Sequence, residues 1–97
     1  MTVTTQFKRS DRHVYRHVAG EHMLIAIHRD TVAPMFSLTP TAAALWKAMA
    51  DWASPADLVD ALTNQFDVDA EQAAADVSEF LEQLRQIGAV SAREVSA

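Results

Sequence analysis

The sequence predicts an α+β domain in which a small three-stranded antiparallel sheet precedes three helices, and three observations carry that prediction. Two runs rich in Val, Ile and Tyr, RHVYRHV and HMLIAIH, flank a glycine-bearing turn. Thr39-Pro40 and Ser54-Pro55 each join a capping hydroxyl to a proline suited to the first helical position. From Ala42 onward, apolar residues recur at the i, i+3, i+4, i+7 spacing of a helix face.

Residues 1–11, MTVTTQFKRSD, show no sustained pattern and read as a flexible arm. The hairpin begins at Arg12 and turns at Ala19-Gly20-Glu21. A two-residue turn pairs His17 with His22, whereas a three-residue loop closing on a glycine bulge pairs His17 with Glu21. Both remain open, and the expected inward row is Met23, Ile25 and Ile27. HRDT then turns the chain into a third strand, about Ala33 to Leu38, where Pro34 suits a strand start or an edge.

Thr39-Pro40 starts helix one, with Ala42, Leu45, Trp46 and Met49 as its buried stripe. Ser54-Pro55-Ala56-Asp57 starts helix two, which buries Leu58, Val59, Leu62 and Phe66. Asp67 or Asp69 caps helix three, which ends near Gly88. Its stripe is Val77, Phe80, Leu81 and Leu84, with Ala70, Ala73 and Ala74 allowing close packing. Residues 91–97 read as a frayed tail, leaving 12–90 as the folded unit. Helices covering one face of a small sheet make the architecture winged-helix-like.

That architecture raises DNA binding, and the charge argues against it. The net charge is −5, and the acids concentrate in the helices. Residues 41–97 carry Lys47, Arg85 and Arg93 against ten acids. Helix three offers Glu71, Asp76, Glu79 and Glu82 against Arg85, where a recognition helix needs cations for phosphates. No Asn or Arg pair stands at its start to read base edges. A winged-helix DNA-binding transcription factor is therefore the rival reading, not the preferred one.

Chemistry finds no purchase either. There is no cysteine, so thiolate catalysis and Cys-ligated zinc are excluded. His13 and His17 stand about 13 Å apart on one strand, and no acid or cysteine completes a ligand set with His17 and His22. No metal or other cofactor is expected. Ser37, Ser54 and Ser78 lack a nucleophile elbow, and Gly20 and Gly88 make no phosphate loop. The longest apolar run, Met23 to Ile27, falls far short of the roughly 20 residues of a membrane span. The expectation is a soluble, cytoplasmic, non-catalytic protein.

An accessible sheet edge beside an apolar helix flank is a template for strand addition by a peptide. Asp76, Gln83 and Ile87 share such a flank beside the core stripe, while Phe36 and Phe80 could serve as pocket walls or plain core. The acids of helix three favour a peptide with a basic residue.

Phe36-Ser37-Leu38-Thr39-Pro40-Thr41-Ala42 followed by Leu45-Trp46, together with Asp76-Val77, Phe80-Leu81, Leu84 and Gly88, resembles the PqqD-like family over about Arg12 to Val90. The resemblance implies a recognition element for ribosomally made, modified peptides. Such domains bind the leader of a precursor peptide and present it to a modifying enzyme, such as a radical S-adenosylmethionine enzyme or a peptidase. It implies that the leader adds as a strand along strand three, beside helix three. Carried onto this chain, the binding residues are Ala33, Met35, Phe36, Ser37, Asp76, Phe80, Gln83 and Ile87. The Cys-Cys-Asp-Gly run typical of the pyrroloquinoline quinone (PQQ) members is absent, so PQQ biosynthesis and a lasso-peptide pathway are both open.

Overall fold

A computed structural model of the chain describes residues 2–27 and 35–96. The order of elements is β1 (Val3–Arg9), β2 (His13–Val18), β3 (Glu21–Ala26), β4 (Met35–Leu38), α1 (Pro40–Ala48), α2 (Pro55–Gln65), α3 (Ala70–Gln86) and β5 (Val90–Ser96). Strands β2, β3 and β4 form the antiparallel sheet, in that order, and the three helices follow it as expected. The third strand of the sequence reading is β4. Ala33, Pro34 and the HRDT turn lie outside the described residues.

The hairpin uses the two-residue turn. Val18 pairs with Glu21 and His17 with His22, and both turn residues have positive φ, 52° at Ala19 and 79° at Gly20. Two consecutive positive φ values make a type I′ turn, whose twist matches the strands it joins. Glycine adopts this freely, but alanine brings its Cβ against the carbonyl. Ala19→Asn is expected to raise stability by up to about 1 kcal/mol, read as a higher urea midpoint at unchanged slope.

This register corrects the expected inward row. Leu24 and Ala26 are buried, at 0% and 3% exposure, whereas Met23 and Ile25 are half-buried and Ile27 is 55% exposed. Both rows of β3 are apolar, so side-chain bulk favoured the wrong one. The helices cover the face on which Tyr15, Leu24 and Phe36 stand as cross-strand neighbours.

The caps follow the sequence closely. Thr39 Oγ1 accepts from the Ala42 amide, and Ser54 and Asp57 form a reciprocal capping box. Asp69, not Asp67, caps α3 by accepting from the Gln72 amide. At the other end of α3, Gly88 takes φ 69°, its amide donates to the Arg85 carbonyl, and the Ala89 amide donates to that of Leu84. That pair of bonds is a Schellman motif, which turns the chain sharply out of the helix.

Leu24, Leu45, Trp46, Met49, Leu58, Leu62, Val77 and Leu84 are the largest fully buried side chains and form one core. Ala73 lets α3 approach closely, while Ala70 and Ala74 are exposed.

The ends differ most from expectation. The presumed loose arm and frayed tail contain β1 and β5, which pair antiparallel from Val3 opposite Ser96 to Arg9 opposite Val90. Phe7 anchors this ribbon. Its amide donates to the Ala53 carbonyl, its carbonyl accepts from the Ala53 amide, and its ring packs against the core. The Arg9 and Ser10 amides donate to the carbonyls of Met49 and Ala89.

Candidate peptide-binding groove

Among the described residues β4 pairs only with β3, so its second edge is open. The hairpin fixes which backbone groups point there. The residues closing a two-residue hairpin, Val18 and Glu21, form a hydrogen-bonded pair, and such pairs alternate along antiparallel strands. The amide of Ile27, which donates to the Arg12 carbonyl, obeys that alternation. The β3 residues aimed at β4 are then His22 and Leu24, opposite Leu38 and Phe36. The amides and carbonyls of Met35 and Ser37 are left facing outward.

Beneath this edge lies a trough with two compartments. One, about 250 Å³, is lined by Leu24, Phe36, Ser37, Leu38, Phe80, Gln83, Leu84, Gln86 and Ile87. The other, about 360 Å³, is lined by Ser37, Leu38, Thr39, Thr41, Ala42, Asp76, Glu79, Phe80 and Gln83. The shared residues are Ser37, Leu38, Phe80 and Gln83, so the two compartments adjoin. The first is chiefly apolar and the second carries two carboxylates.

Of the residues singled out from the sequence, seven fall on this edge and trough. Phe36 stands half-buried on the inner face, and Phe80, 5% exposed, is common to both compartments. Gln83 is exposed, and Ile87 caps α3 half-buried. Asp76 is half-buried, and its Oδ1 accepts from the Gln72 side chain at 2.9 Å. Met35, 64% exposed, and Ser37 offer outward backbone groups while their side chains turn to the sheet's other face. Ala33 lies outside the described residues. The sequence reading missed Leu24 because it chose the wrong row of β3. It also missed Glu79 and Gln86, although their spacing from Gln83 was the available signal.

At the hairpin end of the same inner face, His22 stacks on His17 with ring centroids 4.3 Å apart. The Tyr15 hydroxyl is hydrogen-bonded to His22 Nδ1, and the Lys47 ammonium lies over the Tyr15 ring at 5.1 Å. Burial, then His17, then Lys47 hold the His22 pKa below its ordinary value. A depressed histidine pKa means that the unfolded chain binds the proton more readily. Stability should therefore hold above about pH 6.5 and fall as pH drops from there through the folded-state pKa. Urea midpoints across that window check this, and His22→Gln should flatten the dependence. No group of three or more His, Asp or Glu among the described residues could hold a metal ion.

On the exposed side of α3, Glu71, Glu79 and Glu82 stand against Arg85, which pairs with Glu82 at 3.6 Å. No helix among the described residues is long and apolar enough to cross a membrane.

Comparison with known proteins identifies the family and the fold. The sequence profile of the family described as coenzyme PQQ synthesis protein D (PqqD) matches residues 21–90. TbiB1, solved in complex with the TbiA(beta) leader peptide, is 25% identical with a TM-score of 0.69, covering 87% of this chain and 94% of that one. Lasso peptide synthetase B1, solved with its leader peptide, is 21% identical with a TM-score of 0.70, covering 88% and 96%. No curated protein matches the chain in sequence.

Proposed function

The chain belongs to the PqqD family, and from that premise we propose that it binds the leader segment of a ribosomally made precursor peptide and presents it to a modifying enzyme. The carrying observation is the open edge of β4, with Met35 and Ser37 facing outward above an apolar trough. A leader strand added there gains backbone hydrogen bonds from those two residues, largely independent of its sequence. Its residues opposite Phe36 and Leu38 aim their side chains into the trough, where Phe36, Phe80 and Ile87 select apolar anchors. Asp76 and Glu79, at the other compartment, favour a basic residue. Ala33 is a further contact of the leader in this proposal, and residues 12–90 form the recognition unit.

The protein in this reading is a non-catalytic adaptor working in the cytoplasm. Its partner is a radical S-adenosylmethionine enzyme or a peptidase. A lasso-peptide pathway and PQQ biosynthesis are both compatible with this adaptor. The acids on α3 weigh against the winged-helix transcription factor.

Amide exchange tests the reading. On adding the TbiA(beta) leader peptide, the amides of Met35 and Ser37 should gain protection. Those of Phe36 and Leu38, already bonded to β3, should change little, as should those on the exposed side of α1. Protection spread evenly over β4, or confined to Ala19 and Gly20, would remove strand addition from the account.

A further inference from the structure

The segment from Lys8 to Arg12, the end of β1 and the link to β2, places three cations within five residues of a chain whose net charge is −5. Lys8, Arg9 and Arg12 line a polar depression of about 500 Å³, together with Ser10, Asp11, Gly88 and Ser91. Asp11 is the one acid in the segment, and the only ion pair among the described residues is Glu82–Arg85, elsewhere on the molecule.

The cations are displayed on a fixed backbone. The Arg9 amide donates to the Met49 carbonyl, the Ser10 amide to that of Ala89, and the Arg12 carbonyl accepts from the Ile27 amide. The Arg12 amide donates to Ser10 Oγ, and the Arg9 guanidinium lies 5.9 Å from the Trp46 ring centroid. A solvated charge run on a loose arm would have none of these restraints. Little backbone ordering entropy then remains to be lost, and the cost of pairing is chiefly that of the side chains when a carboxylate engages a guanidinium in two parallel hydrogen bonds.

We propose that the Lys8–Arg12 surface docks an acidic segment of a partner protein, the enzyme to which the bound peptide is delivered. This rests on the adaptor reading above, and it gives the adaptor its second contact surface. The depression shares no lining residue with either compartment of the trough, so both can be filled at once. A protein segment fits better than nucleic acid. Three cations match a short run of carboxylates, whereas a long phosphate array would extend onto the acidic remainder of the chain.

The test titrates isotopically labelled protein with octaglutamate at about 50 mM salt, where exposed charge pairing is least screened. Saturable shifts should appear at residues 8–12, 88 and 91, and Lys8→Glu/Arg12→Glu should weaken binding roughly tenfold or more. The same variant should bind the TbiA(beta) leader peptide within about twofold of the parent, since the trough is untouched. If the double variant fails to fold, Arg12→Glu, on an exposed side chain, decides alone. Absence of saturable shifts, or affinity for octaglutamate unchanged by the reversal, overturns the proposal. So does tighter binding of duplex DNA of equal charge at these residues. If the leader peptide leaves the Met35 and Ser37 amides unmoved while octaglutamate binds as described, the leader reading falls and the basic surface stands.

Discussion

Trp46→Ala is expected to lower stability by about 3–5 kcal/mol, the largest loss foreseen for a single core truncation in this protein. Trp46 is 1% exposed and is the bulkiest of the fully buried side chains. Its ring meets His13 of β2 edge-on at 6.4 Å between centroids and lies under the Arg9 guanidinium of β1, so one side chain ties α1 to both strands. Removing it leaves a cavity that helices fixed by their caps can close only in part. Against a total of roughly 5–15 kcal/mol for a domain of this size, the variant would retain a narrow margin. Trp52 supplies the control. It is half-buried, its ring covered by the Arg93 guanidinium at 4.3 Å, and Trp52→Ala should cost about 1 kcal/mol. Urea midpoints that fell equally for the two would contradict this assignment of the core.

The second large effect is on binding. Ile87→Asp should weaken leader affinity by about 1–3 kcal/mol, which is roughly 5- to 150-fold. Ile87 closes the apolar compartment opposite Phe36, and a carboxylate there must be desolvated when the peptide settles. The fold should survive, because Ile87 is the half-buried C-cap of α3 and the Schellman bonds around Gly88 use only backbone groups. An acid at a helix C-terminus costs about 0.3–1 kcal/mol through the helix dipole. A titration with labelled TbiA(beta) leader peptide measures the loss, with circular dichroism confirming that both proteins are folded. Equal affinities would place the peptide elsewhere.

The helices were legible because their signals are local. A threonine or serine before a proline, an acid at the third position and a stripe at helical spacing all fall within one short window. The trough was legible for the same reason, since Asp76, Phe80, Gln83 and Ile87 sit on adjoining faces of one such helix. The hairpin row was not. Met23, Ile25 and Ile27 make a row with more apolar bulk than Leu24 and Ala26, and only the helices on the other face decide which row is covered. The β1–β5 ribbon was invisible in principle. Gln6 pairs with Arg93, and its side chain accepts from Arg93 Nε at 2.9 Å, but no window along the chain contains both residues. Thr4, Thr5 and Gln6 lack apolar alternation, so the ribbon owes its order to a distant partner and to the anchor at Phe7.

That ribbon has a topological consequence. With Val3 opposite Ser96, the first and last described strands end one strand spacing apart, about 5 Å. The fold is therefore nearly a closed ring. A short linker could join its ends, and a new break at the exposed Ala19-Gly20 turn would yield a circular permutant with every strand pairing retained. Cargo fused to either end would leave from the same corner of the molecule. Because β1 and β5 supply no residue to either compartment of the trough, such a fusion would keep the groove lining intact.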